Sequence, residues 1–548
     1  MKASATSLWE NLVAAERRWP QKPALVYFDR LITFSDLCRD AKALAGGLKA
    51  LGVERGDRVM LIMQNVPQLV IAHFAILCAN AVVVPVNPMN RADELGHCIS
   101  DADAKVAITT GDLAAEVARA SNALSADEGL KHLVVGGFED FLDPSAVAAA
   151  GTPTSWRDWL LASWPLPQLD NGKVHSWADL MACNAQPPEH VVSGNDMALL
   201  PYTSGTTGLP KGCVHSHASL MHNALATNLW FNTTSESIVL AVVPMFHITG
   251  IVAVMHAAIA AGALMVVMPR WDREVAGQLI SKWKVTNWLG IPTMVIDLMA
   301  SPAFRSYDLS TLRNIGGGGA AMPQPVAQRL LEEFVLSYQE GYGLTETAGP
   351  SHSNPADRPK QQCLGVPFVG IEARVVDPET LDEVPQGEAG EIVVYGPQVF
   401  QGYWKDPHAT AAAFIDLEGK RFFRTGDIGR VDEEGYFFIT DRLKRMINAS
   451  GFKVWPAEVE LLMFKHPAIE EACVVASHDP YRGESVKAVV VLRHSHSATT
   501  PDDIMEWCRQ QMSVYKVPRQ VQFVEALPKN ASGKVQWRLL QDQHAAPG

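Results

Sequence analysis

The sequence predicts a layered α/β protein with a smaller α+β end, and three observations carry that reading. Helix-like and strand-like stretches alternate from Thr33 to about Pro350, the strand candidates are short continuous apolar runs, and from Gly365 the texture changes to brief strands and glycine turns. Apolar runs of this kind suit strands of parallel sheets covered by helices on both faces.

The chain opens on a capped amphipathic helix starting near Ser7; it has no apolar core bounded by a small-residue cleavage site, so no export signal is read. Candidate strands follow as GDRVMLIMQ, AVVVPVN, KVAITT, KHLVVGG, SIVLAVV, ALMVVM and VTNWLGI. Residues 249–269 contain no Asp, Glu, Lys or Arg over a length that could cross a bilayer. Gly262 divides them into an Ala-rich helix carrying His256 and a β-branched strand, and LVIAHFAILCAN running into AVVVPVNP repeats that order. Buried helix-to-strand units are therefore expected, not a membrane span.

Residues 138–190 are the least readable. Trp156, Trp159, Leu160 and Trp164 share one helical face, which suits a helix packed on the main body; a substrate-entry or membrane-touching patch is the sharper alternative. From 365 to about 440, IEARVVD, GEIVVYG and GYFFIT predict a β-rich subdomain. A boundary near Asp441 then separates residues 1–440, with two α/β layered subdomains ahead of the β-rich one, from a compact α+β domain at 441–548.

Composition narrows function. The 548 residues carry 46 Lys+Arg against 59 Asp+Glu, a formal charge of -13 with no basic block, which excludes a general nucleic-acid binder or a polybasic membrane anchor. The eight cysteines include no CxxC, so reduced thiols and a cytoplasmic location are expected. Cys213, His215, His217 and His222 fit no zinc spacing.

The segment YTSGTTGLPKG, 202–212, follows an apolar strand and offers backbone N–H groups and hydroxyls suited to phosphate oxygens. It is not a Walker A loop, because Pro210 and Gly212 stand where that pattern needs Gly and Ser/Thr; a flexible Gly/Ser-rich loop is the simpler alternative. Further along come PMFHITG, GGGGA, GYGLTET, RTGD, DRLKRMINASGFKVWPAEVE and PKNASGK. With these segments in this order the chain resembles the acyl-adenylate-forming superfamily, which includes acyl-CoA synthetases, peptide-synthetase adenylation domains and beetle luciferases. The resemblance covers nearly the whole chain and is of the acyl-CoA synthetase, fatty-acid–CoA ligase type. Residues 138–190 fit least and look like an insertion.

The resemblance implies a role for each matching residue. Thr203, Ser204, Gly205, Thr206, Thr207, Gly208 and Lys211 would bind the phosphates of ATP. Gly318, Gly319, Ala320, Tyr342 and Gly343 would take the adenine, with Tyr342 stacking on the ring, while Asp427 and Arg442 would take the ribose. Thr345, Glu346 and Lys534 would be catalytic, Glu346 holding Mg²⁺ and Lys534 bridging the attacking carboxylate and the α-phosphoryl oxygens. His247, Ile248, Gly250, Trp288, Thr293, Gly316, Gly317 and Leu344 would form the acyl pocket, and glycines 316–319 would let a flat ligand approach the backbone. Ser450, Gly451, Phe452 and Lys453 would line the CoA channel after a mobile C-terminal domain rotates about a hinge at Asp441. Arg445 stands where many relatives carry an acidic residue, so no salt bridge is implied there; Glu340 is assigned no adenine contact.

The implied reaction joins a carboxylate and MgATP as acyl-AMP, then passes the acyl group to CoA. The pocket stretches contain no Lys or Arg to pair with a second carboxylate, and His247 replaces the Asp that amino-acid activators use, so an apolar monocarboxylate is expected, with a medium- or long-chain fatty acid first. The alternatives are an aryl or benzoate-type acid, or a carrier-protein thiol as acceptor. No appended carrier domain and no evident insertion after GYGLTET are read in these residues, so CoA is the expected acceptor. A peripheral membrane contact stays open, as does the choice between monomer and homodimer.

Overall fold

The computed structural model describes residues 7–149, 151–203, 210–319, 321–442, 445–449, 452–479, 483–493, 496, 498–529 and 535–545. Two compact units divide the chain: residues 1–372 with 395–423, and 373–394 with 424–548. Asp441, the expected boundary, lies inside the second of these.

The first unit is built on two sheets. One has eight strands, ordered Gly402–Tyr403, Cys213–Ser216, Met197–Leu199, Val82–Pro85, Arg58–Ile62, Val106–Thr110, His132–Gly136 and Lys173–Ser176. It is parallel from Met197–Leu199 onward and antiparallel at the other end. The second sheet has nine, ordered Val366–Pro367, Gly349–Ser353, Tyr338–Leu344, Asn314–Gly318, Asn287–Leu289, Ile238–Ala241, Leu264–Val267, Pro23–Tyr27 and Arg30–Thr33. Its central run from Tyr338–Leu344 to Pro23–Tyr27 is parallel. All the strand candidates up to residue 291 form, the first four in one sheet and the last three in the other.

Strand order reverses at Ile238–Ala241: the chain goes first to Leu264–Val267 on one side, then to Asn287–Leu289 on the other. Loops diverging from such a point open a crevice at the carboxyl ends of the strands.

The apolar stretch after Thr249 is a π-helix, Gly250–His256, continued by Ala257–Ala261 and the strand Leu264–Val267. Gly262 ends the helix at φ 74, and a Cβ there would run into the Trp19 ring. The helix Pro67–Cys78 is buried on every face, with His73 and His256 joined ring to ring at 2.8 Å. No described helix is long and apolar enough to cross a membrane. All eight cysteines are free, and only Cys183 is exposed.

At the amino end the helix Leu8–Arg18 is capped by Ser7, as expected. The tryptophan-rich segment departs from expectation in part. Its helix, Thr154–Leu160, buries Trp156 and Leu160 and stops before Trp164, which is 41% exposed; Trp164 precedes Pro165, and a residue before proline disfavours the helical conformation. Trp159 is pinned to the body: its indole N–H donates to Asp112 at 2.8 Å, and its ring meets Phe138 edge-on and the Arg270 guanidinium at 3.7 Å.

In the second unit, strands Ile447–Ala449, Phe452–Val454, Ile469–Asp479, Gly483–Leu492 and Gln520–Phe523 form one sheet. Helices Pro456–Met463 and Pro501–Gln511 pack on a core of Val459, Val474, Ala488 and Ile504. Large α/β and small α+β parts are thus both present.

Candidate active site

The nine-stranded sheet delivers site residues at its carboxyl ends. His247, Ile248 and Gly250 follow Ile238–Ala241, Thr293 follows Asn287–Leu289, Gly319 follows Asn314–Gly318, and Thr345 and Glu346 follow Tyr338–Leu344. His247 is solvent-exposed, yet desolvation lowers its pKa, the combination expected of a side chain lining a recess. Its Nδ1 accepts from the Thr249 N–H at 3.4 Å, which places the proton of the neutral ring on Nε2. Trp288 is buried and stacks on Trp271 at 5.9 Å, whereas Thr293 is exposed.

The glycines also serve packing within the sheet. Cβ atoms at Gly316, Gly317 and Gly318 would meet the carbonyls of Gln339, Gly290 and Gly341, so here glycine permits neighbouring backbone to close in. Gly319 alone of the four has a positive φ, 87°, with open space where a side chain would stand.

A cavity of about 30 Å³ is lined by Thr227, Phe231, Ala253, Ala257, Trp288 and Leu289 among others. Part of this wall comes from Gly250–His256 and Asn287–Leu289, the elements that carry Gly250 and Trp288. The buried Thr227 hydroxyl beside it has no hydrogen-bond partner.

Tyr342 is buried at the end of its strand, 5.7 Å from the His352 ring across the antiparallel pair Tyr338–Leu344 and Gly349–Ser353. The turn that follows, Thr345–Thr347 with Ala348 at φ 54, is held from several sides. Buried His215, whose pKa desolvation pushes down to about 4, donates from Nε2 to the Thr345 carbonyl at 2.7 Å. The Asn223 amide donates to the Thr347 and Ala348 carbonyls, the Phe400 N–H donates to the Glu346 carbonyl at 2.8 Å, and the Tyr403 hydroxyl donates to Glu346 Oε1 at 2.9 Å. Leu344 is half-buried and Gly343 exposed.

The phosphate-loop candidate is closed at its base. Tyr202 and Gly212 form an antiparallel bridge, and the Thr203 N–H donates to the Lys211 carbonyl at 3.0 Å. Lys211 is exposed, pairs with Asp406 at 3.1 Å and lies 5.2 Å from the Tyr403 ring centre. Ser204, Gly205, Thr206, Thr207 and Gly208 lie outside the described residues. Among the described residues no group of three His, Cys, Asp or Glu side chains could hold a metal. The lone Glu346 carboxylate fits Mg²⁺ shared with nucleotide phosphates, since that ion is usually bound by one or two carboxylates plus phosphate and water.

Glu340 sits one strand position from this turn's strand centre, buried, and desolvation raises its pKa to about 7 against the backbone donors of Gln362 and Met322. A carboxyl with a raised folded pKa gives full stability below its unfolded value, near 4.5, and loses it as pH rises through about 7. Glu340→Gln removes that loss. Urea unfolding is expected to show the variant gaining about 2–3 kcal/mol relative to the natural chain between pH 5 and pH 8.

In the second unit, the RTGD segment runs through the strand Lys420–Val431. Buried Glu391 binds Arg424 at 2.6 Å and accepts from the Gly426 N–H at 3.0 Å, while the Thr425 hydroxyl accepts from the Asp427 N–H. Asp427 is fully buried and pairs in register with Arg442 on Phe437–Arg442. Asp441 in the same strand accepts from the Ala457 N–H at the start of Pro456–Met463. Arg445 makes an ion pair that the resemblance did not imply, with Glu460 at 2.5 Å. Phe452 and Lys453 lie in the strand Phe452–Val454. Ala320, Ser450, Gly451 and Lys534 lie outside the described residues.

Tyr403, His215, Asn223 and Glu391 are absent from the sequence-derived set. Each acts on a segment at least 33 positions away, so no local spacing marks it.

Comparison with known proteins follows the same outline. Residues 12–404 match the AMP-binding enzyme family, and residues 458–534 match the AMP-binding enzyme C-terminal domain. The chain is 34% identical to a long-chain-fatty-acid–CoA ligase of Bacillus subtilis, over 98% of this chain and 94% of that protein. It is 33% identical to a feruloyl-CoA synthase of an Amycolatopsis species, over 95% and 96%. Its fold is similar to that of ATP-bound MatB from Rhodopseudomonas palustris, with a TM-score of 0.81, 26% identity and 99% of each chain covered.

Proposed function

The chain belongs to the AMP-binding enzyme family, and from that premise we propose that it is an acid–thiol ligase converting an apolar monocarboxylic acid, foremost a medium- or long-chain fatty acid, into its CoA thioester. The observation that carries the reading is the gathering of His247, Thr293, Gly319, Thr345 and Glu346 after the carboxyl ends of the parallel run of one sheet, with Lys211 beside the same tyrosine that binds Glu346.

In the first step a carboxylate oxygen attacks the α-phosphorus of ATP and the bond to the β-phosphate oxygen breaks, giving acyl-AMP and pyrophosphate. In the second, the CoA thiolate attacks the acyl carbon and AMP leaves. Positioning and charge stabilisation dominate such chemistry. Thr203 and Lys211 would bind phosphate oxygens; Thr345 would orient the α-phosphoryl group; Tyr342 would stack on adenine; Asp427 and Arg442 would take the ribose. Glu346 would hold Mg²⁺, which when bound neutralises charge on the departing pyrophosphate. Lys534 would stabilise the charge that develops during attack, and residues 450–453 would line the CoA channel once rotation about Asp441 has withdrawn it.

The reading of an acid with a hydrocarbon tail is supported by the similarity to a long-chain-fatty-acid–CoA ligase and by the lack of Lys and Arg in the pocket stretches; the cavity beside Ala253 and Leu289 is itself only about the size of one water. With the far end of the tail placed against Ala253, Ala253→Leu is expected to lower kcat/KM for the longest accepted acids about tenfold or more while short acids are unaffected. ATP–pyrophosphate exchange across a chain-length series checks this; equal losses at every length would refute the placement of the tail. An aryl acid is the second reading, favoured by the similarity to a feruloyl-CoA synthase, and cinnamate and benzoate in the same series discriminate it.

A further inference from the structure

We propose that Tyr403 is a positioning residue that couples the two charged groups of the phosphate site, holding the Glu346 carboxylate with its hydroxyl and the Lys211 ammonium on its ring face. The inference rests on the reading of Glu346 as the metal-holding carboxylate and of Lys211 as a phosphate ligand.

Tyr403 reaches this place by pairing. Gly402 and Tyr403 add an edge strand to Cys213–Ser216, with Tyr403 opposite Cys213, and the Trp404 N–H donates to the Gly212 carbonyl. That edge strand lies against the segment that closes the phosphate loop, so residue 403 is carried beside Lys211. The Phe400 N–H meanwhile donates to the Glu346 carbonyl. One short segment, 400–406, therefore touches both sides of the site.

The side chain is locked. Its ring packs edge-on against Phe400 at 4.9 Å, and its backbone N–H donates to the Thr410 hydroxyl at 2.9 Å. From that fixed ring the hydroxyl donates to Glu346 Oε1 at 2.9 Å. A phenol ordinarily titrates at about pH 10, so the hydroxyl carries its proton at neutral pH and can donate. A proton donor on one carboxylate oxygen fixes the plane in which the other oxygen is presented, as outer-shell partners do for metal ligands. The Lys211 ammonium, 5.2 Å from the ring centre, also pairs with Asp406 at 3.1 Å, whose carboxylate caps the helix Pro407–Ala412. Tyrosine satisfies both contacts, whereas phenylalanine keeps only the ring.

The test separates the two halves in the full-length protein. Mn²⁺ binding is followed by electron paramagnetic resonance in the presence of α,β-methylene-ATP, and binding of the same analogue is measured in EDTA. Tyr403→Phe is expected to weaken Mn²⁺ binding about tenfold or more, with analogue affinity in EDTA within twofold of the natural chain. Tyr403→Leu should lose both, because Lys211 loses its ring. Glu346→Gln is the control for the underlying reading. If it leaves Mn²⁺ binding unchanged, Glu346 does not hold the metal and the proposal falls with it. If Glu346→Gln weakens Mn²⁺ binding and Tyr403→Phe does not, the coupling alone is overturned. A Tyr403→Phe variant that loses the analogue equally with and without metal would also overturn it, since that is the pattern of a disturbed loop.

Discussion

Lys534→Ala is expected to lower the rate of acyl-AMP formation by about a hundred- to a thousandfold while leaving thioester formation from supplied acyl-AMP within a fewfold of the natural chain. The asymmetry follows from the charges in the two steps. Attack at phosphorus brings an anionic carboxylate against an anionic phosphate, and an ammonium between them is worth most at that moment; a single well-placed donor at a developing charge contributes about 10²–10³ in rate. Thiol attack on the mixed anhydride expels AMP without that encounter. Separate rapid-quench measurements of the two steps check the difference. Equal losses in both would mean that Lys534 supports the fold or nucleotide binding instead.

Arg445→Met is expected to be the most destabilising of the substitutions considered, by about 3–5 kcal/mol, although the side chain belongs to no substrate site. The guanidinium is 13% exposed and binds Glu460 at 2.5 Å, with Asp441 at 3.8 Å and the Val474 carbonyl at 3.2 Å. Its other face lies 5.6 Å from the Trp537 ring centre. Glu460 in turn accepts from the Val474 N–H, tying the helix Pro456–Met463 to the strand Ile469–Asp479. Removing the arginine takes the shared cation from two enclosed carboxylates, the situation in which breaking a buried pair costs most. Urea unfolding followed through tryptophan emission measures the loss. A double variant, Arg445→Met with Glu460→Leu, should regain much of it, because both halves of the pair are then apolar.

That cluster also shows where sequence reading succeeds and where it stops. The parallel strands were legible because each is a short apolar run bounded by Gly, Pro or a charged turn, as in GDRVMLIMQ, and because Gly262 had to interrupt the longest apolar stretch. Candidate residues at the carboxyl ends of those strands were legible from motif order alone. Arg445 was read as a departure whose partner could not be named, since Glu460 is reached only once strand and helix fold together. Tyr403 and His215 escaped for the same reason: each meets the Thr345–Thr347 turn through pairing across 57 and 130 positions. Trp164 was placed on a helix that ends at Leu160, because the periodicity continued where the Trp164-Pro165 step breaks it. At glycines 316–318 the sequence pointed to ligand approach, and sheet packing, which only the fold reveals, independently forbids a side chain there.

Isotope transfer gives the most direct test of adenylate chemistry. The protein is incubated with MgATP, CoA and a medium-chain fatty acid carrying ¹⁸O in both carboxyl oxygens, and the products are read by mass spectrometry. Attack of the carboxylate on the α-phosphorus, followed by thiol attack on the acyl carbon, predicts AMP with one ¹⁸O, unlabelled pyrophosphate and an acyl-CoA that keeps the other ¹⁸O. Formation of ADP with label in inorganic phosphate would contradict the adenylate route, because it would mean attack at the terminal phosphorus.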